Sequence, residues 1–450
     1  MSVHTQMKAR LAPLFFGAAN DPELTAQIRR LRELLEDVAD VFEPLPIGAH
    51  IPDADAVLFP QLIGDAYHRV AEIRALALPI LVLTSEFGTM AMWDWEIISY
   101  LRSEGVETLA PYTLTGAQTA CRALTAKRQL HDGKFLVYQD RPGEAGQQPS
   151  IFKRFYWWED ECAERIRETF GLAIEKRSYA ELAARAQAIP DTDARTEWDR
   201  LHCTVPLGDV SERATLSALK LYRAVRDELE GEQRVVGMGI NCLNESAFSD
   251  TTPCLAWNLL YQERDLIWGC EGDTVSMLTK FILHRSLRAP ILMTNLYPFL
   301  MGQAALKHER IPEFPAVDGP PEDYVLAAHC GYLGVVPQAF TDDWKLRAKV
   351  LPIVNENSAV IDARLPLGDL TLAKLGPTFD TLTVAEGALE GYAGYPGSDC
   401  LNGAVIRVPD GHTLMSRLPS HHSLLLAGHH REGIALLARV FGLEVDRLAA

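Results

Sequence analysis

A carboxylate and imidazoles gathered from distant parts of a chain can together hold a divalent metal, and this sequence holds such pieces. Glu271 and Asp273 stand in Gly269-Cys270-Glu271-Gly272-Asp273, after a short apolar stretch and before a helical pattern. Open α/β sheets place their chemistry at that end of a strand. A carboxylate buried there is costly unless it meets a metal, a cation or a proton. His329 closes an apolar run just before Cys330-Gly331, and His421-His422 precede another apolar run. One carboxylate with two imidazoles suits Mn²⁺, Zn²⁺, Fe²⁺ or Co²⁺. Spacing alone does not establish such a site, because the ligands share no local motif.

Each residue also has an ordinary explanation. Asp273 is placed to cap the helix that follows, and Glu271 can be satisfied by the same helix terminus. A lone histidine such as His329 is more often a hydrogen-bonded core residue than a ligand. Neighbours on a strand point to opposite faces, so at most one of His421 and His422 is expected at a given site. Cys270 and Cys330 default to small buried hydrophobes, although each adjoins a candidate ligand and keeps thiol chemistry open. No GxxxxGK[ST] loop, no GxGxxG after a first strand and no GxSxG elbow is present, which leaves phosphate cradles and serine nucleophiles without support.

The elements that would carry these residues alternate in a regular way. Residues 11–17, 54–62, 78–84 and 135–139 read as strands separated by helical patterns, including 22–38. Residues 214–229, 255–262 and 275–287 read as helices around strands at 235–240 and 266–270. That rhythm predicts parallel sheets covered by helices. From about residue 289 the pattern changes to strands at 291–296, 325–328, 358–363, 370–374 and 382–385, broken by Gly, Pro and Asp turns. A helix over 431–441 closes on Gly442. The expected fold is α/β: two doubly wound, Rossmann- or flavodoxin-like domains followed by a β-rich, barrel-like domain. The expected boundaries are 1–160, 161–288 (carrying Glu271) and 289–450 with its closing helix. Phe155-Tyr156-Trp157-Trp158 reads as a connection between the first two, in an interface, a core or a hinge.

With 450 residues the chain has room for such domains. A net charge of −17 excludes a nucleic-acid backbone as a natural partner. No apolar stretch approaches the roughly 20 residues of a membrane helix, and the first residues lack the apolar core of a signal peptide. The 8 cysteines are scattered without a CxxC pair, the habit of reduced thiols, so a cytoplasmic location is expected.

Several motifs then occur in a telling order. They are Asn241-Cys242, Thr252-Pro253-Cys254-Leu255-Ala256, the Glu271 segment, His329-Cys330-Gly331, Gly368-Asp369-Leu370-Thr371-Leu372, Val384-Ala385-Glu386-Gly387 and His421-His422. From residue 235 onward this order resembles the L-fucose isomerase and L-arabinose isomerase family of metal-dependent aldose–ketose isomerases, most of all its shorter, divergent members. Before residue 235 the likeness is one of architecture only.

The resemblance implies a divalent metal, Mn²⁺ foremost, held by Glu271, His329 and His422. Glu271 would also be the catalytic base, and Asn295, Cys330 and His421 would contact substrate. The family's second carboxylate falls at Asn295, whose amide cannot act as a base at neutral pH. Either Glu271 moves both protons, or Asp273 substitutes, or the reaction has become that of a lyase, epimerase or transferase. A sugar-binding protein without catalysis is a further alternative. The implied partners are a small carbohydrate-like substrate and further copies of the chain, in a trimer or hexamer.

Overall fold

The structure is a computed structural model that describes residues 7–17, 20–60, 65–85, 92–142, 155–201, 205–298, 316–329, 333, 335–348, 357–393 and 403–448. The chain divides into two compact units. The first comprises Met1–Gln129, Arg285–Arg288 and His430–Glu444. Its sheet is built from β1 (Ala9–Phe15), β2 (Ala39–Val41), β3 (Leu45–Pro46), β4 (Ala56–Phe59), β5 (Ile80–Val82) and β6 (Thr108–Leu109). The order is β2-β1-β4-β5-β6, with β3 beside β1, and every pairing is parallel. All of β4 and β5 is buried, as expected for strands covered on both faces.

The helix Pro22–Leu34 begins where the Asp21 carboxylate accepts from the Glu23 amide and Pro22 presets the first turn. The helix Arg431–Phe441 ends on left-handed Gly442 and belongs to this unit rather than to the strands that precede it in sequence. Lys127 ties it down, donating to the Val440 carbonyl at 2.8 Å.

The second unit holds another parallel sheet, of β7 (Lys134–Tyr138), β8 (Ala173–Arg177), β9 (Val235–Ile240) and β10 (Ile267–Cys270), in the order β10-β9-β7-β8. By sequence β7 completes the first set of strands; in the structure it pairs with β8 and β9. Alternation of strand and helix shows that a strand is parallel, but not which sheet it joins. The helix Thr274–Leu287 packs tightly on β9 and β10. A Cβ at Gly269 would lie 2.5 Å from Met277 Cγ, and one at Gly239 2.9 Å from Met277 Sδ, so both positions need glycine for this approach.

That helix carries a fully buried lysine. Lys280 Nζ sits 3.0 Å from the Trp268 ring centroid and donates to the Trp268 carbonyl at 3.1 Å. Burial holds its pKa well below the ordinary lysine value. An amine depressed in the fold weakens folding at pH values below its unfolded pKa, near 10.4. A Lys280→Met variant is therefore expected to gain about 1–2 kcal/mol at pH 7, after loss of the cation–π contact. The gain should fade as pH rises toward 10.4, and urea unfolding at pH 7 and pH 10 will measure both values.

The same unit contains β11 (Ile291–Pro298), β12 (Tyr324–Ala328), β13 (Asp343–Ala348), β14 (Ala359–Arg364), β15 (Gly368–Leu375), β16 (Thr381–Ala393), β17 (Gly403–Arg407) and β18 (His422–Ala427). Strands β13 and β14 form a separate antiparallel pair. The other six run β15-β18-β11-β12-β17-β16, and β16 pairs back onto β15. All six pairings are antiparallel, so these strands close into a six-stranded barrel, and β19 (Glu444–Arg447) pairs with β16 outside the ring. The long strand β16 shifts register between Leu389 and Gly391, the kind of irregularity that lets a strand bend round a small barrel. Among the described residues no helix is long and apolar enough to cross a membrane.

Candidate metal centre

Strand β10 ends at Cys270, and the chain then makes two consecutive left-handed residues, Glu271 (φ 54°) and Gly272 (φ 63°). Such a conformation is disfavoured for a side chain with a Cβ and persists only where its surroundings enforce it. Trp157 and Trp158 do so here. Both indole N–H groups donate to the Glu271 carbonyl, at 3.2 and 2.8 Å. The Gly272 amide donates to Ile240 and the Asp273 amide to Cys270, each at 3.0 Å. The turn therefore fixes the direction of the Glu271 side chain, which is buried.

Asp273 is completely buried and caps the helix Thr274–Leu287. Its Oδ1 accepts from the Ser276 amide at 2.8 Å. Its Oδ2 takes Ser276 Oγ at 2.7 Å, His422 Nδ1 at 2.8 Å and Lys374 Nζ at 3.3 Å. Lys374 comes from β15, is itself buried, and also donates to Ser276 Oγ. Burial pushes the Asp273 pKa up, but Lys374, then His422 and the Ser276 amide, hold it far below the usual carboxylate range. Asp273 and Lys374 thus form a buried ion pair.

His422 opens β18. A carboxylate only accepts, so Nδ1 carries the proton and Nε2 presents a lone pair. That Nε2 is buried and has no hydrogen-bond partner. Burial, and secondarily His421, push the His422 pKa down to about 4, so the ring is neutral at pH 7. This is the state a metal ligand must have, with the carboxylate behind it fixing the ring.

His421 departs from expectation. Strand alternation allowed only one of the two neighbours at the site, yet their ring centroids are 4.0 Å apart. The physical reason is that β18 begins at His422, so His421 lies in the preceding bend and is free of the strand's period. Its Nε2 is 3.7 Å from Glu271 Oε2, and Oε2 has no hydrogen-bond partner. Burial raises the Glu271 pKa, but His421, His422 and His329 outweigh it and leave the carboxyl below its ordinary value. Glu271, His421 and His422 each offer one ligand atom, and these atoms all lie within 4.8 Å of one another.

The other expected residues fall around this group. His329, assigned to the metal by the sequence, stands beside it with its ring 6.0 Å from that of His422, but its nitrogens do not join the three ligand atoms. The group that could hold an ion includes His421, a residue that the resemblance placed against substrate. Asn295 pairs across β11 with His422 on one side and Ala328 on the other. Its Nδ2 donates to the Tyr297 hydroxyl at 3.2 Å, and its Oδ1 is buried without a partner. The Cys270 thiol faces Cys242 Sγ at 3.5 Å. Cys330 lies outside the described residues.

Sequence reasoning missed the aromatic wall. Phe155 stacks on Trp157 at 4.4 Å, and Trp157 lies 5.9 Å from His421 and 5.6 Å from His422. Two adjacent tryptophans, each needing an acceptor for a buried N–H, were the available signal. A cleft of about 360 Å³ shares Trp157, Lys374 and Ser420 with these surroundings. No family model and no curated protein sequence matches the chain.

Proposed function

We propose that this centre binds a divalent cation, Mn²⁺ foremost, and interconverts the aldose and ketose forms of a sugar-like substrate through its ene-diol. The observation that carries the reading is the convergence of Glu271, His421 and His422. The order of motifs from residue 235 onward supports the choice of reaction, and extends it to a cytoplasmic trimer or hexamer. A divalent ion held there would polarise the substrate carbonyl and favour the negative charge that develops on it. Glu271 is ionised at neutral pH, and one oxygen is unengaged, so it can hold the proton taken from carbon. Asp273 is occupied by its donors and orients His422 rather than exchanging protons. Phe155 and Trp157 supply an apolar wall beside His421.

A second reading has its own observation. An amide, Asn295, stands opposite His422 where a second base would be useful, and this favours a changed reaction on the same centre, such as that of a lyase, epimerase or transferase. Incubation with a panel of aldoses and ketoses in D₂O separates the two. Isomerisation puts deuterium on the carbon next to the carbonyl, and Glu271→Gln is expected to abolish both turnover and exchange with the far-UV CD spectrum unchanged. Full activity in that variant would remove Glu271 from the mechanism.

A further inference from the structure

Two thiols beside the centre have no part in the chemistry proposed for it. Cys270 ends β10 and directly precedes Glu271, and Cys242 follows the end of β9 by two residues. These strands are parallel neighbours, with Ile240 opposite Cys270. The Cys242 amide donates to the Ile240 carbonyl at 2.8 Å, so the chain turns back at once. Cys242 Sγ is thereby set 3.5 Å from Cys270 Sγ.

Buried cysteines ordinarily serve as small hydrophobes, and contact alone asks for nothing more. Two features set this pair apart. The strands that carry it are held fast, because Met277 packs on Gly239 and Gly269 where a Cβ would clash. Groups fixed in contact in this way react as if highly concentrated. Each cysteine also keeps 5% of its surface, whereas Asp273 and His422 keep none, which suits an oxidant as small as hydrogen peroxide.

We infer that Cys242 and Cys270 form a reversible oxidation site, at which a peroxide joins them in a disulfide that disables the neighbouring centre. One thiol sulfur attacks a peroxide oxygen and the O–O bond breaks, giving a sulfenic acid and one water. The second sulfur attacks the first, the S–OH bond breaks, and the hydroxyl leaves with the remaining thiol proton as a second water. Both sulfurs are oxidised and the peroxide is reduced. A dithiol reductant restores the thiols by exchange. Transient disulfides of this kind are the ones that reducing compartments tolerate.

To bond, the sulfurs must close from 3.5 Å to about 2.05 Å. Glu271 is the next residue after Cys270, and Trp157 and Trp158 hold its left-handed turn by the carbonyl. The pull therefore falls on the direction of its side chain, which supplies one of three ligand atoms that must stay together. This coupling rests on the proposed metal site; the disulfide does not.

The test uses the full chain, reduced, treated with hydrogen peroxide and then cleared of it. One portion is digested without reductant for peptide mass mapping, and the other is titrated with Mn²⁺. A linked Cys242–Cys270 peptide that dithiothreitol separates is expected. Mn²⁺ affinity should be at least about tenfold lower in the oxidised chain and recover with the reductant. Cys242→Ala and Cys242→Ser, two variants of similar size in case one misfolds, should keep the affinity of the reduced wild type before and after peroxide. Sulfinic acid at either residue, linkage of either to another cysteine, or no reaction at peroxide levels that oxidise the urea-unfolded chain would overturn the site. A linked chain that binds Mn²⁺ as tightly as the reduced one, or a loss that persists in Cys242→Ala, would overturn the coupling and leave the disulfide standing. If the reduced wild type takes up no Mn²⁺, the metal site and the coupling fall together, and the peptide map still decides the disulfide.

Discussion

An Asp273→Asn variant is expected to lose about 3–5 kcal/mol of stability and, with it, the metal binding proposed for the centre. The stability loss comes from Lys374, whose ammonium is buried and ion-paired with Asp273. An amide in that place leaves the cation without a counter-charge. The loss of metal has a separate origin, in the tautomer of His422. Asp273 can only accept from Nδ1, which leaves the lone pair on Nε2. An asparagine amide can donate to Nδ1 instead, and the ring proton then moves to Nε2 and blocks the ligand atom. A double variant, Asp273→Asn with Lys374→Met, separates the two effects. Removing both charges should recover most of the stability but none of the metal binding. Urea midpoints and a Mn²⁺ titration of both variants are the measurements; a single variant that keeps its midpoint would show that the ion pair carries no net stability.

The same pair shows where the sequence stops being readable. Asp273 before a helical pattern is legible as a cap, because capping is a local matter of a few residues. Lys374, 101 residues away along the chain, gives no such signal. It lies in an apolar strand where its alternation looks like any other polar position, and only closure of the barrel brings it to Asp273. The period-2 and period-3.6 patterns located most strands and helices, including β9 with both its ends and the helix at 274–287 within a residue. They did not reveal that β7 leaves the first sheet, nor the order in which the strands of the expected barrel-like domain pair, since pairing partners are set by tertiary packing. Glu271 was legible from its place after a buried strand. That His421 and His422 lie side by side was not legible, because a rule for strand interiors was applied one residue before the strand begins.

Revising the ligand set makes an opposite forecast for two histidines that look equivalent in the sequence. His421→Ala removes one of the three convergent ligand atoms of the proposed site, so Mn²⁺ affinity should fall by at least ~100-fold, about 2.7 kcal/mol. His329→Ala removes a ring that contacts His422 without belonging to the group, and its cost should be the smaller of the two, toward the low end of the ~10–100-fold seen for lost supporting interactions. His422→Ala should match or exceed His421→Ala, because it removes a ligand and strands the Asp273–Lys374 pair as well. Calorimetric titration of the three variants ranks them directly. If His329→Ala proves the costlier of the first two, the cation sits toward β12 rather than at the bend before β18, and His329 returns to the ligand set in place of His421. The ranking therefore locates the cation independently of any assay of turnover.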